Sequence, residues 1–507
     1  MMKSILFPLL FCFLLSAQAV LAAGISFPAF ISDGMVLQQR SKASLWGKSA
    51  ENSAITVVTS WDNKKYTTRS DKRGNWKLQV VTPAAGGPYS ITFEEADNRI
   101  SSGGSVTTSG STKTSGSVTT AGNSTNPGSR VTLHDILIGE VWLCSGQSNM
   151  EMPMKGFKNQ PVENSNMDIL RSTNPSLRLF TVKRNSTIEP QEDVSGEWSA
   201  AEPASVREFS ATAYYFGRLL QEMLNVPVGL INSSWGGSWV ESWMDSEMLA
   251  AFPAVEIPEN ESDIREKNRT PTTLYNAMIA PLAGYTISGV IWYQGESNYD
   301  RHETYTDLFK TMVAGWRSAW GQGVFPFYYC QIAPYEYGLI TPEGEKPINS
   351  AYLREAQLKA EKEIENSGMV VLLDAGMEKG IHPAKKRVAG ERLALHALAK
   401  KYHMEGITAD SPVYKEMLVQ GDTCVLSFDR AEMWLTAREG ELNNFTVAGE
   451  DKLFYPAEAW ISRSKVYVKS EAVKHPVAVR YAFENYIEGD LYGTEGLPVS
   501  SFRTDDW

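Results

Sequence analysis

G-E-V-W-L-C-S-G-Q-S-N-M-E-M, at residues 139–152, is the stretch from which the fold of this chain can be worked out. Residues 141–144 form an apolar run that is long enough for a buried strand, and Ser145, Gly146 and Gln147 end it. Ser148 follows in the turn. A serine just past a buried strand can hold its hydroxyl at the open edge of a sheet, where a substrate reaches it. Taken alone, the pattern fits a turn serine that hydrogen-bonds to backbone better than it fits a nucleophile.

Three further stretches change that balance. They are W-G-G-S-W at residues 235–239, W-Y-Q-G-E-S-N at 292–298 and I-H-P at 381–383. Together with G-Q-S-N-M, this set resembles the SGNH-hydrolase superfamily and, within it, the sialate O-acetylesterase family. The resemblance extends over nearly all of the chain after residue 23, including G-L-P-V-S-S-F-R-T at 496–504. The G-x-S-x-G elbow of α/β-hydrolases is absent around Ser148, so that fold is not supported.

The length of 507 residues exceeds what one ordinary core organises, so two or three domains are expected. The formal net charge of −11 argues against nucleic acid or an anionic membrane surface as a partner. Residues 1–23 combine one lysine, a short apolar run and small residues, which is typical of a secretory signal. The run is too short for a membrane span, and no second long apolar segment follows. The sequence thus predicts a secreted or periplasmic protein.

Cysteines and histidines give no sign of a metal centre. Cys144, Cys330 and Cys424 remain after the signal, and their wide spacing favours buried free thiols. There is no C-x-x-C and no H-E-x-x-H. The sequence therefore predicts no metal and no cofactor, although a calcium site built only from oxygen ligands would not be visible in this way.

The order of patterns along the chain predicts its domains. Residues 24–100 alternate with period two and are broken by turns, which indicates an antiparallel β-sandwich. Residues 101–130 are almost wholly Ser, Thr and Gly, which is typical of a flexible loop. Residues 131–405 alternate strand and helix patterns, so we expect an α/β domain with a parallel sheet and helices on both faces. The resemblance implies that this is a flavodoxin-like, SGNH-type catalytic domain. Residues 406–507 are β-rich, and the resemblance favours packing on the catalytic domain over an independent sugar-binding module.

A serine needs a neighbouring base to take its proton, and histidine suits this because its pKa lies near the operating pH. The resemblance makes Ser148 the nucleophile and His382 that base. The family usually carries an aspartate two residues before this histidine, where this chain has Gly380; the superfamily position three before is Lys379. Glu378 is therefore predicted as the third member, because its longer side chain can cover the extra distance. Asp374 and a Ser–His pair oriented by a backbone carbonyl are the alternatives.

The resemblance also implies donors for the oxyanion of the tetrahedral intermediate. These are the backbone N–H of Ser148, the N–H of Gly237 in preference to Gly236, and a side-chain amide, with Gln294 ahead of Asn298. Three tryptophans are predicted to stack on the sugar, namely Trp235, Trp239 and Trp292. Packing in the core accounts equally well for each of them taken singly.

The sequence thus predicts a secreted serine esterase that removes O-acetyl groups from sialic acid or a glycan through an acyl-enzyme. An acetylxylan or hemicellulose acetylesterase is the main alternative among enzymes. A non-catalytic glycan-binding protein with a decayed hydrolase domain is the alternative outside enzymes, because the expected aspartate is missing. The resemblance places O-acetyl sialate slightly ahead, and Arg354 is a possible partner for the sialate carboxylate. The sequence does not determine the oligomeric state.

Overall fold

The computed structural model describes residues 24–96 and 129–507. The predicted signal and all but the last two residues of the predicted loop at 101–130 lie outside this range. The first part of the chain contains β1 (Val36–Gln38), β2 (Lys42–Lys48), β3 (Ala54–Thr59), β4 (Lys65–Arg69), β5 (Asn75–Val81) and β6 (Gly86–Glu95). Every second residue of β3 is buried, as expected for a strand with one face in a core. β2 pairs with β5, and β3 lies between β4 and β6, all antiparallel.

The central part of the chain alternates strands and helices. Its elements are β7 (Arg130–Gly146), α1 (Ser148–Glu151), α2 (Ser165–Leu170), β8 (Asn174–Thr181), β9 (Trp198–Ala201), α3 (Pro203–Glu208), α4 (Ala211–Leu224), β10 (Val228–Ser234), α5 (Ser246–Leu249), β11 (Gly289–Tyr293), α6 (His302–Trp320), β12 (Phe327–Cys330), α7 (Ala351–Glu363), β13 (Ser367–Val370) and α8 (Lys386–His396). Short 3₁₀ turns lie at Val240–Trp243, Glu261–Asp263, Ala280–Leu282, Glu296–Arg301 and Tyr337–Leu339, and π turns at Tyr275–Ile279 and Ala397–Lys401.

The central sheet has the strand order β13-β12-β11-β7-β10-β8-β9, and all its pairs are parallel except that of the edge strand β9. Its inner strands are buried on both faces, which is why every residue of β10 is buried. Leu143 on β7 faces a core shared with α6 and α7, whereas its neighbour Trp142 faces a core shared with α4 and α8. The predicted α/β fold, with helices on both faces of the sheet, is confirmed.

The strands β7 and β11 are neighbours at the carboxyl end of this sheet. From β7 the chain continues to β8 on one side, whereas from β11 it continues through α6 to β12 on the other. The two connections diverge, and such a point is where ligands bind in open α/β sheets. The strands approach closely here: a Cβ on Gly146, whose φ is +135°, would lie 2.2 Å from the carbonyl oxygen of Tyr293.

β7 joins the amino-terminal strands to the central sheet. Its first half pairs with β6 and β1, and its second half pairs with β10 and β11. The predicted boundary between residues 130 and 131 therefore falls within a single strand, which pairs with amino-terminal strands and with central strands. As a result, the amino-terminal strands β1, β3, β4 and β6 and the central strands form one continuous 11-stranded sheet.

The last part of the chain contains only strands among its regular elements. They are β14 (Val413–Gln420), β15 (Thr423–Asp429), β16 (Leu435–Ala437), β17 (Phe445–Ala448), β18 (Phe454–Pro456), β19 (Glu458–Ser462), β20 (Lys465–Lys469), β21 (Ala478–Tyr481), β22 (Leu491–Gly493) and β23 (Phe502–Arg503). The main sheets have the orders β14-β15-β20-β19 and β18-β17-β21-β23.

This region packs on the central α/β part of the chain through α7. Arg354 of α7 is fully buried and donates from Nε to Ser501 Oγ at 3.0 Å and from Nη2 to the carbonyl oxygen of Glu484 at 2.5 Å. The hypothesis that Arg354 meets a sialate carboxylate is therefore wrong, because its guanidinium is used at this internal contact. The contact favours packing over an independent module.

Within residues 24–96 and 129–507, none of the helices combines the length and the apolar character needed to cross a membrane.

Candidate active site

Ser148 begins α1 directly after the turn that ends β7, and it lines a cavity of about 630 Å³. The turn is held by Gln147, whose backbone N–H donates to the carbonyl oxygen of Tyr293 at 2.9 Å. Gln147 Oε1 accepts the backbone N–H groups of Gly295 and Ser297, each at 3.2 Å. The serine is thus positioned by the neighbouring strand β11 and by the loop that follows it.

His382 lines the same cavity from the loop between β13 and α8. Its Nδ1 hydrogen-bonds to Oε1 of Gln160, and its ring packs against Phe157 with centroids 5.2 Å apart. Phe157 and Gln160 belong to one turn, closed by two backbone hydrogen bonds of 3.0 Å between them. A single turn therefore supplies both contacts that orient the imidazole.

The imidazole is neutral over most of the pH range. Burial, and to a smaller extent the positive charge of the nearby Lys386, together lower the pKa of His382 to about 4. Because the amide oxygen of Gln160 only accepts hydrogen bonds, Nδ1 carries the hydrogen and Nε2 has the free lone pair. That is the form in which an imidazole accepts a proton from a serine.

The predicted third member is not at the ring. The side chain of Glu378 is exposed, and its backbone carbonyl accepts a hydrogen bond from the N–H of Glu336 at 3.1 Å. Asp374 accepts two hydrogen bonds of 2.7 Å from Arg392. In the structure the group hydrogen-bonded to Nδ1 is the side-chain amide of Gln160, and it is neither Glu378 nor a backbone carbonyl. Sequence reasoning missed Gln160 because it lies 222 residues before His382 and in none of the motifs.

A buried polar network underlies the serine and the histidine. Asn149 donates from Nδ2 to Glu296 Oε1 and to the carbonyl oxygen of Ile381, and its Oδ1 accepts from Lys386 Nζ. Burial raises the pKa of Glu296 and lowers that of Lys386 to about 7. The network ties α1, the loop after β11 and the loop of His382 to one another.

The two glycines considered as oxyanion donors, Gly236 and Gly237, differ in whether their backbone N–H already has a hydrogen-bond partner. The N–H of Gly236 donates to Glu151 Oε2 at 2.8 Å and is therefore in use. Gly237 lines the cavity with a φ of +73°, and within the described part of the chain its N–H has no hydrogen-bond partner. Of the two glycines, only Gly237 thus has an N–H that is available as a donor in the described part of the chain.

The two predicted side-chain amides lie inside the loop and not on the cavity wall. Gln294 is fully buried, and its Nε2 donates to the carbonyl oxygen of Ser238 at 3.1 Å and to Asn298 Oδ1 at 2.7 Å. Asn298 is also fully buried and donates to Glu241 Oε2 at 3.0 Å. Both amides are used to hold neighbouring loops, so this geometry does not support the prediction that either binds the oxyanion.

The three predicted tryptophans have different surroundings. Trp292 is fully buried against other aromatic rings, including Trp243 and Trp316, so its predicted contact with sugar is wrong. Trp239 lines the cavity, with the Arg301 guanidinium 3.9 Å from its ring centroid. Trp235 is half-buried beside Arg184, whose guanidinium lies 5.7 Å from the ring centroid.

The cavity also contains cationic side chains that no motif revealed. Arg184 pairs with Glu151 at 2.5 Å, and Arg269 pairs with Glu266 at 3.1 Å. Lys158 is exposed and, among the residues that the structure describes, has no ion pair. Its ammonium group is therefore available to an anionic ligand in this cavity.

Comparison with known proteins gives a consistent result. Residues 138–399, just over half of the chain, match the model of a family described as carbohydrate esterase, sialic acid-specific acetylesterase. The sequence is 26% identical to the sialate O-acetylesterase of Rattus norvegicus over 94% of each chain. It is 27% identical to the sialate O-acetylesterase of Homo sapiens over 77% of this chain and 73% of that protein. A crystal structure of a carbohydrate acetylesterase from Xanthomonas citri has a TM-score of 0.80 and 35% identity, and covers 95% of this chain and 100% of its own.

Proposed function

The chain belongs to the sialic acid-specific acetylesterase family of carbohydrate esterases and is a carboxylic ester hydrolase, and we propose that it removes O-acetyl groups from a glycan or a sialic acid through an acyl-enzyme on Ser148. The observation that carries the proposal is the shared cavity of Ser148 and His382, with Nδ1 of the imidazole occupied by Gln160. The experiment that tests it is acetate release from an acetylated glycan by the wild type and by a Ser148→Ala variant.

In the first half of the reaction, Nε2 of His382 accepts the hydroxyl proton while Ser148 Oγ attacks the acetyl carbonyl carbon. The carbonyl oxygen becomes an oxyanion, which the N–H groups of Ser148 and Gly237 stabilise. His382 then returns the proton to the sugar oxygen, the C–O bond of the ester breaks, and the sugar leaves with a free hydroxyl. Ser148 keeps the acetyl group.

In the second half, water replaces the sugar hydroxyl. His382 takes a proton from this water as it attacks the acetyl-enzyme, and the same N–H groups stabilise the second oxyanion. Collapse of the intermediate releases acetate and returns the proton to Ser148 Oγ. Gln160 contributes by keeping the hydrogen on Nδ1, so that Nε2 faces the reaction in both halves.

Two substrate classes are compatible with the cavity, and Lys158 distinguishes them. A sialic acid carries a carboxylate, which would form a charge-assisted hydrogen bond with this lysine, whereas an acetylated xylan has no such group. The names of the rat and human relatives support sialate. The name of the Xanthomonas citri protein supports acetylated carbohydrate in general.

We expect Lys158→Gln to raise KM for 9-O-acetyl-N-acetylneuraminic acid about tenfold, because it removes the charge that holds the carboxylate. The same change should leave acetate release from acetylated xylan unaltered. Lys379→Gln is the matched control, since Lys379 is also exposed but does not line the cavity. Acetate release is measured for both substrates at equal ester concentration. A clear preference of the wild type for xylan would remove sialate as the substrate.

We also infer export from the cell, since residues 1–23 have the pattern of a signal with small residues near Ala19 and Ala22. Amino-terminal sequencing of the protein recovered outside the cytoplasm should begin after one of these alanines. Recovery of an intact amino terminus in the cytoplasm alone would contradict this inference.

A further inference from the structure

A second cavity of about 940 Å³ lies beside the candidate active site. The two cavities have Trp239 and Arg269 in common in their walls. The volume of the second cavity is within the range of about 300–1,000 Å³ that is usual for ligand sites. It contains neither Ser148 nor His382, so a group bound there would lie outside the reaction itself.

The outer wall of the second cavity is a long segment with little regular structure. Between α5 and the π turn at Tyr275–Ile279, the chain forms only the single 3₁₀ turn at Glu261–Asp263. Segments without regular structure beyond about 12–15 residues are uncommon in compact domains and are usually either functional loops or linkers. Asn268 fixes the segment to the active site, because its Nδ2 donates to the carbonyl oxygen of Gly236 at 2.7 Å.

The boundary between the two cavities is a rigid aromatic side chain. Arg301, 3.9 Å from the ring centroid of Trp239, is itself held by Glu241 at 2.7 Å, and Glu241 is buried. Arg301 therefore covers part of the indole and restrains it, and the guanidinium of Arg269 lies 5.6 Å from the same ring centroid. The rest of the restrained indole lines both cavities, where it offers an apolar surface on which the C–H groups of a sugar ring can pack at a low cost in conformational entropy.

The charges of the second cavity disfavour an anionic ligand. Its positive side chains Arg269 and Arg301 are paired with Glu266 and Glu241. The remaining charged side chains of the wall are three carboxylates and one guanidinium, namely Glu256, Glu259, Asp263 and Arg265. Their balance is negative, which repels acidic sugars and accepts neutral ones.

We propose that the second cavity binds uncharged sugar units of an acetylated oligosaccharide, whose acetylated sugar occupies the cavity of Ser148 and His382. The inference rests on the proposed function and adds the chain length of the substrate to it. An oligosaccharide that extends past Trp239 fills both cavities, whereas a single acetylated sugar fills one. Binding of the additional units lowers KM, and it also orients the ester relative to Ser148.

The test compares acetate release from acetylated xylotetraose and from acetylated xylose at equal ester concentration. We expect the wild type to show a kcat/KM about tenfold higher on the longer substrate. Trp239→Ala should bring the ratio of the two values close to unity, and Trp239→Phe should keep most of it because an aromatic surface remains. Trp460→Ala is the matched control, since Trp460 is a half-exposed tryptophan on β19, away from both cavities, and should leave the ratio unchanged.

The outcomes separate this inference from the function on which it rests. Equal kcat/KM values on both substrates in the wild type, or a ratio that survives in folded Trp239→Ala, would overturn the second cavity as a sugar site. Absence of acetate release from both sugars and from an aryl acetate would instead overturn the esterase proposal. Melting curves of the variants establish that each one is folded.

Discussion

Replacement of Ser148 by alanine should lower acetate release by a factor of at least about 10³, because no other group takes the place of the nucleophile. The change removes one oxygen from a side chain at the start of a four-residue helix, so the fold should persist. We expect the melting temperature to move by less than about 2 °C. The measurement is acetate release from an acetylated glycan and from an aryl acetate, together with a thermal melt.

Ser145→Ala is the matched control for this prediction. Ser145 lies three residues earlier on β7, is fully buried, and its Oγ has no hydrogen-bond partner among the described residues. Its replacement should leave the rate close to that of the wild type. If a folded Ser148→Ala protein kept most of its activity, the acyl-enzyme mechanism would be untenable.

Replacement of Gln160 by leucine should lower kcat by about 10²-fold, because His382 then loses the acceptor that holds its ring and its tautomer. Gln160 does not touch the reacting atoms in this proposal and is a positioning residue. Glu378→Gln is the comparison that decides between the two candidates for this role. We expect it to have no effect on kcat, since the Glu378 side chain is exposed and the hydrogen bond of this residue with Glu336 is through the backbone.

The pH profile of kcat/KM shows whether Gln160 positions the imidazole of His382 or only contributes to the stability of the fold. The wild type should keep its kcat/KM as the pH falls to about 5 and lose it near pH 4, because His382 acts in its neutral form and its pKa is lowered to about 4. Gln160→Glu places a carboxylate at Nδ1, which favours the imidazolium and raises this pKa. The acid limb of the variant should therefore move to higher pH.

Two results would contradict this assignment. One is an acid limb of the wild type near pH 6.5, the ordinary pKa of histidine. The other is a strong loss of activity in Glu378→Gln with little change in Gln160→Leu, which would restore the carboxylate that the sequence predicts. Circular dichroism at each pH establishes that the protein is folded where the rates are compared.

Features that depend on residues close together in the chain could be predicted from the sequence alone. The apolar run at 141–144 and the turn after it are local, so the strand and the position of Ser148 at its end follow from them. The alternation of strand and helix patterns predicted the parallel sheet and its helices on both faces. The family resemblance supplied His382 and Gly237, whose short motifs lie in the loops that line the cavity.

Which side chains meet could be seen only in the folded chain, because it depends on how loops that are distant in sequence come together. Gln160 reaches His382 across 222 residues of chain, and no local pattern marks that pair. Trp292 and Arg354 lie in stretches that suggested binding, yet the packing of α6, α7 and the carboxyl-terminal strands buries both. β7 pairs with the amino-terminal strands and with the central strands, and a division of the sequence by composition cannot show this. Burial and side-chain partners are properties of the assembled chain, and they decide which of the predicted residues can contact a substrate.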